Sequence, residues 1–380
     1  MGFESYDDFY AASIRDMEWF WGEVEKVVGI EWFEPYTQVV DLSKGTKWPE
    51  WFVHGKLNAV HNALDKWIHD PASSERLAII WEREDGEVRK VTYRELAVWV
   101  NQVAHGLIGQ GIKKGDCVGI YLPMIPETVA AVLAITKIGA IFTPAYSGFG
   151  ADPISKRLES AQAKMLITAD GHLRRGKVIP MKEEADKAVE MVSCVEKMVV
   201  VRRLGRDIPW KENRDVDWLM LETDRRDMPS DGMSSMDPFL IAYTSGTTGR
   251  PKGAVHTHGS FPIRAAFETG FHLDLHPGEV LFWVTDMGWI MGPLVLFGTL
   301  LNGATMLLYE GSPDYPHPNR LWKMVEDHRV SLLGISPTLI RSVMQHGERL
   351  ALQHELSSLR SIASTGEPWN PERGTGRLKR

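Results

Sequence analysis

Cysteine is scarce in this chain: Cys117 and Cys194 are the two among 380 residues, and they lie far apart. That excludes a disulfide-stapled fold and a cysteine-based metal centre, and it points to a reducing, cytoplasmic setting. Positive charge is also in deficit, with 43 Lys and Arg against 50 Asp and Glu for a net charge of -7. No general attraction for nucleic acid or an anionic membrane is therefore expected. The N-terminus, "MGFESYDDFY", lacks the basic-then-apolar order of a secretory signal. No repeat at solenoid spacing and no long low-complexity tract occurs. A single uncharged run, Met287 to Tyr309, is long enough to cross a bilayer. Gly288, Gly292, Pro293, Gly298, Asn302 and Gly303 break it up, so a buried helix leading into a central parallel strand is the expectation.

Several chemical signatures are missing too. No Gly-x-Ser-x-Gly elbow precedes a helix. His256 and His258 have no third ligand at zinc spacing, so no metal site is assigned. What the chain does have is an ordinary globular composition, 43% hydrophobic and 24% charged, and enough length for two or three domains.

Eight of the fourteen tryptophans fall in the first hundred residues, among helix-like segments. Residues 1–76 read as an aromatic N-terminal cap whose rings pack a core. From Leu77 strands and helices alternate. "RLAIIWEREDGEVRKVTY" reads as a hairpin turning at Asp85-Gly86. "IPETVAAVLAITKIGA" reads as a helix with Pro126 near its start and Gly139 at its end. Alternation of this kind implies α/β architecture, two mostly parallel sheets with flanking helices. Residues 77–220 form the expected first α/β subdomain, 221–237 a linker, 238–372 a second subdomain, and 373–380 a basic tail. One sheet is expected on each side of the linker.

The stretch "YTSGTTGRPKGAVHTHGSF", Tyr243 to Phe261, concentrates four glycines, six Ser and Thr hydroxyls and two basic groups after the strand-like "FLIAY". A loop followed by a helix from about Gly259 would direct backbone N–H groups and a helix dipole at an anion. Gly246, Gly249 and Gly253 permit close backbone approach, Thr244, Ser245, Thr247 and Thr248 offer hydroxyls, and Lys252 adds a mobile charge. The loop is neither a Walker A motif nor a dinucleotide fingerprint, because the Lys and Gly spacings differ. A ligand-free turn is the bland alternative, and phosphate binding is favoured over it.

"YTSGTTGRPKG" resembles the signature loop of the adenylate-forming superfamily. "FWGEVEKVVGIEWFEPY", "KLNAVHNALDKW", "IKKGDCVGIYLPMIPETVAAVLAITKIGA", "ITADGHLRRGKVIPMK", "DMGWIMGP", "SPTLIR" and "STGEPWNPE" resemble, in order, segments of its acetyl-CoA synthetase branch. The resemblance implies an ATP-dependent carboxylate–CoA ligase, forming an acyl-adenylate and then an acyl-CoA thioester from a short-chain carboxylate. ATP with Mg2+ and CoA would be its co-substrates. It implies that Thr244 and Lys252 assist the chemistry and that Thr244, Ser245, Gly246, Thr247, Thr248, Gly249 and Lys252 bind the phosphates. Gly366, Glu367 and Pro368 would border adenine. Trp289, Ile290 and Met291 fall where acetate-using members show Trp-Val-Thr, and with Thr365 they would line the acyl pocket. Arg174 and Lys177 would hold CoA phosphates, with Gly148 and Ser336 as further CoA contacts. After "STGEPWNPE" the resemblance stops at "RGTGRLKR". The magnesium Thr-Glu motif, the ribose Asp and the late adenylation lysine of the family have no counterpart in the 380 residues. A truncated, inactive ligase is the expectation, with a non-catalytic nucleotide- or CoA-binding remnant as the alternative.

Overall fold

The computed structural model describes residues 3–244 and 251–368. Two sheets organise it. The larger has seven strands in the order Asp215–Asp217, Lys197–Val201, Ala163–Ala169, Cys117–Tyr121, Ile141–Pro144, Pro238–Thr244 and Lys252–Thr257. Neighbours are parallel except the last pair, which is antiparallel. The smaller has six strands in the order Ser361–Ser364, Leu332–Ile335, Val280–Trp283, Thr305–Glu310, Leu77–Arg83 and Val88–Thr92, again parallel except for the final hairpin.

Side-chain alternation explains why both faces of the smaller sheet are covered. Ile79, Trp81, Leu281, Met306 and Leu308 join the main core, whereas Ile80, Phe282, Leu307 and Leu333 pack a second core. That second core is closed by Leu321, Trp322, Met324 and Val325 of the helix Arg320–Asp327. Strands buried on both sides read as continuous apolar runs, as these do. The main core also takes in Val118, Phe142 and Ile167 of the seven-stranded sheet, so one apolar interior connects the two sheets.

Local signals place the helices. Tyr93–Gly109 starts with a capping box, Thr92 accepting from the Glu95 amide while the Glu95 carboxylate accepts from the Thr92 amide. Pro126 opens the helix Pro126–Lys137, and Gly139 ends it at φ +73°. Within Met287 to Tyr309 the chain forms a buried helix, Met291–Leu301, followed by the central strand Thr305–Glu310. Among the described residues no helix is long and apolar enough to cross a membrane.

Three expectations need correction. The sheets do not divide at the linker. The early hairpin Leu77–Thr92 completes the sheet built from downstream strands, and Pro238–Thr257 completes the sheet built from upstream ones. Each sheet gains a hydrogen-bonded neighbour for an otherwise bare strand, which local sequence cannot announce. Residues 221–237 are not a free connection either. Asn101 and Gln102 donate to the Arg226 and Thr223 carbonyls, and Met233–Ser234 pairs with Lys56–Leu57. Finally, a strand, Lys252–Thr257, comes before the helix expected from about Gly259, which is present as Phe261–Phe267. Thr244 and Lys252 are direct antiparallel partners, so ladder hydrogen bonds, not a helix dipole, organise these two positions.

Around Trp21, Trp32, Trp51 and Phe267 the aromatic N-terminal segment packs a third core with Val24, Val39, Phe52 and Ile263. His258 is fully buried, its Nδ1 accepting from the Ala59 amide at 3.2 Å, which fastens this segment to the larger sheet.

Candidate functional site

A cavity of about 710 Å³ opens where the parallel strands of both sheets end at their carboxyl termini. That is the position at which open α/β sheets place ligands, because loops leaving neighbouring strands diverge there. Seven sequence-predicted positions share its wall: Arg174, Trp289, Ile290, Met291, Ser336, Thr365 and Gly366.

Trp289 and Ile290 lie in the turn before the helix Met291–Leu301, and both are exposed to the cavity side. The Trp289 ring sits 5.6 Å from that of Tyr146. Gly288 makes this possible: a Cβ there would come within 2.1 Å of the Tyr146 amide nitrogen, so the two loops touch backbone to backbone. Asp286 fixes the contact. Its carboxylate accepts from the Gly288 amide at 2.8 Å and from the Ser147 hydroxyl at 2.5 Å, with the Ser147 amide 3.3 Å away. Burial pushes the Asp286 carboxyl up to about 6 against the pull of those donors.

Arg174 stands on a small hairpin, His172–Arg174 paired with Lys177–Ile179, and reaches the cavity wall. Ser336 caps the helix Pro337–Met344, its hydroxyl accepting from the Leu339 amide at 3.1 Å. Thr365 and Gly366 follow the edge strand Ser361–Ser364, with Gly366 at φ +100°. Glu367 folds back onto that same helix, accepting from the Thr338 amide at 2.8 Å and pairing with Arg341. The Thr338 hydroxyl and Arg341 hold its carboxyl below the usual range. The turn is thereby pinned, and the Glu367 side chain is turned towards the protein.

Other expected positions are not on this wall. Thr244 and Lys252 are exposed at the strand ends on either side of residues 245–250, Lys177 is exposed opposite Arg174, and Gly148 packs against the Tyr146 ring. Pro368 is exposed beside the pinned turn. Ser245, Gly246, Thr247, Thr248 and Gly249 lie outside the described residues.

Sequence reasoning passed over the buried acids of the wall. Asp286 carried a signal, an Asp two residues before a Gly, the pattern of a side chain closing its own turn. Glu310 carried none. Burial raises its carboxyl to about 7, Arg203 holds one oxygen at 2.9 Å, and its Oε1 has no partner among the described residues. Beside it in the wall, His172 is driven down to about 4 by burial, with Arg174 adding to the effect. Among the described residues no group of three His, Cys, Asp or Glu is disposed to hold a metal ion.

Comparison with known proteins decides the family. The model for AMP-binding enzymes matches residues 69–376, and that for the acetyl-coenzyme A synthetase N-terminus matches residues 6–63. The chain belongs to the AMP-binding enzyme family. Among curated AMP-binding relatives, the acetyl-coenzyme A synthetase of Methanothrix thermoacetophila is 41% identical over 355 residues, covering 93% of this chain and 53% of its own. That of Syntrophobacter fumaroxidans is 39% identical over 373 residues, covering 97% and 57%. The solved acetoacetyl-CoA synthetase from Streptomyces lividans superposes with a TM-score of 0.90 at 28% identity, over 98% of this chain and 57% of that one. This AMP-binding chain therefore spans little more than half the length of the relatives it matches.

Proposed function

We propose that these 380 residues carry the nucleotide-, acyl- and CoA-facing surfaces of an ATP-dependent carboxylate–CoA ligase. What supports the reading is the cavity in which Arg174, Trp289, Ile290, Met291, Ser336, Thr365 and Gly366 meet at the strand ends. In the proposed reaction a short-chain carboxylate attacks the α-phosphate of ATP, releasing pyrophosphate. The CoA thiol then displaces AMP from the acyl-adenylate to give the thioester.

Thr244 and Lys252, with Ser245, Gly246, Thr247, Thr248 and Gly249, would hold the polyphosphate of MgATP and stabilise charge gathering on the leaving pyrophosphate. Magnesium would arrive with the nucleotide. Gly366, Glu367 and Pro368 would border the base. Trp289, Ile290, Met291 and Thr365 would border the acyl group. Ile290 and Met291 are bulkier than the Val-Thr pair of acetate-using members, which favours a short carboxylate other than acetate. Arg174 and Lys177, with Gly148 and Ser336, would receive CoA.

Calorimetric titration of the 380-residue chain with MgATP and with CoA tests this reading. Lys252→Ala is expected to weaken MgATP binding about tenfold, ~1.4 kcal/mol, and to leave CoA affinity unchanged. Wild-type protein that bound neither ligand would refute the proposal. The chain spans just over half of its relatives, which favours binding without turnover for these residues by themselves. ATP–pyrophosphate exchange above background with a panel of carboxylates would overturn that second point.

A further inference from the structure

A buried carboxylate behind the cavity holds the hairpin that presents Arg174. Glu84 is 3% exposed and leaves the early hairpin strand at its turn. Its Oε1 accepts from the amides of Arg175 at 2.7 Å and Ser312 at 2.9 Å, and its Oε2 accepts from the Gly176 amide at 2.8 Å. Arg175 and Gly176 are the two central residues of the turn between Arg174 and Lys177, with φ of +51° and +69°. A two-residue hairpin turn with both φ values positive favours Asn-Gly or Gly-Gly, and an Arg in its first place needs outside support.

Support comes from three directions. Glu84 takes both turn amides. Asp314 accepts from the Arg175 guanidinium at 2.7 Å and is itself bound by the Ser312 hydroxyl at 2.6 Å. The Tyr315 ring closes on Gly176, where a Cβ would lie 2.5 Å from its Oη. Arg175 thus spends its charge on the protein, and its neighbour Arg174 is left at the cavity wall.

We infer that Glu84 is the positioning residue that presents the Arg174–Lys177 turn to the phosphates of CoA. This rests on the CoA reading above and adds a residue that does not itself line the cavity. It acts through backbone amides, so its loss should loosen one ligand's site and spare the other's.

The test compares wild type with Glu84→Gln, Glu84→Ala and Arg174→Ala. CoA and MgATP are titrated separately, and amide hydrogen exchange is followed at Arg175 and Gly176. Glu84→Gln keeps a carbonyl oxygen for two donors and sets an N–H2 against the third, so an intermediate effect is expected. The CoA dissociation constant should rise about threefold in Glu84→Gln and about tenfold or more in Glu84→Ala, the scale of one or two lost charge-assisted hydrogen bonds. MgATP affinity should stay within about twofold, on the additivity expected of separate sites. The two turn amides should exchange faster. Glu84 variants that bind CoA like wild type while Arg174→Ala does not would overturn the positioning role and leave the CoA reading standing. Equal losses for both ligands would overturn it as general destabilisation. Wild-type protein without CoA affinity would remove the reading and this inference with it. Should Glu84→Ala fail to fold, Glu84→Gln decides by the same outcomes.

Discussion

Asp286 and His258 show how single buried groups set opposite pH responses. The Asp286 carboxyl is raised to about 6 from 3.8 by burial. The folded state therefore holds its proton more tightly than the unfolded one. Its contribution to stability is present below the unfolded value and is lost as pH rises through about 6. His258 is the reverse. Burial lowers it to about 4 from 6.5, so its contribution is present above 6.5 and is lost as pH falls through about 4. His258→Gln, which keeps an acceptor for the Ala59 amide, should flatten the acid side of the stability curve by up to ~1.4 kcal/mol per pH unit within that window. Urea unfolding near pH 7 and again near pH 4.5 reads this directly, and an unchanged drop would exclude His258 as the source. Asp286→Asn places an amide N–H2 before donors that need an acceptor. A loss of about 2–3 kcal/mol is expected from the unsatisfied groups left behind. Equal urea midpoints for wild type and variant would contradict it.

Between elements, the Lys137–Asp65 pair is a demanding joint. Lys137 is buried at the end of the helix Pro126–Lys137, and its Nζ donates to both Asp65 oxygens at 2.9 and 2.8 Å. The Ser230 hydroxyl adds a third contact at 2.6 Å, so cap, helix and residues 221–237 meet at one carboxylate. Asp65→Ala would strand a buried ammonium and should cost about 3–5 kcal/mol, whereas Asp65→Ala with Lys137→Met should recover most of it. Thermal melts of the single and double variants measure the difference.

Elements of this kind were legible where they are local. The proline at 126, the glycine at 139 and the Asp85-Gly86 turn are written within a few residues of where they act. The strand Lys252–Thr257 was not, because "KGAVHT" is largely exposed and lacks an apolar face. Its conformation comes from pairing with Tyr243 and its neighbours. The cavity positions were legible through motifs, whereas Asp286 reaches a partner 139 residues away and Glu84 one 91 residues away. No local pattern encodes such distances.

At the scale of the whole molecule, ligand binding and chain topology each have a measurable signature. A thermal shift with CoA should be present in wild type and absent in Arg174→Ala, since a ligand that binds the folded state alone raises the melting point by mass action. The strand exchange between the sheets goes further. Leu77–Arg83 lies against Thr305–Glu310, and Pro238–Thr244 lies against Ile141–Pro144, so each sheet is built from both sides of residues 221–237. Severing the backbone after the exposed Arg225 would consequently release no independent fragment. The two pieces should co-migrate on a native gel and part in urea, interlaced like clasped hands, and neither expressed alone should fold.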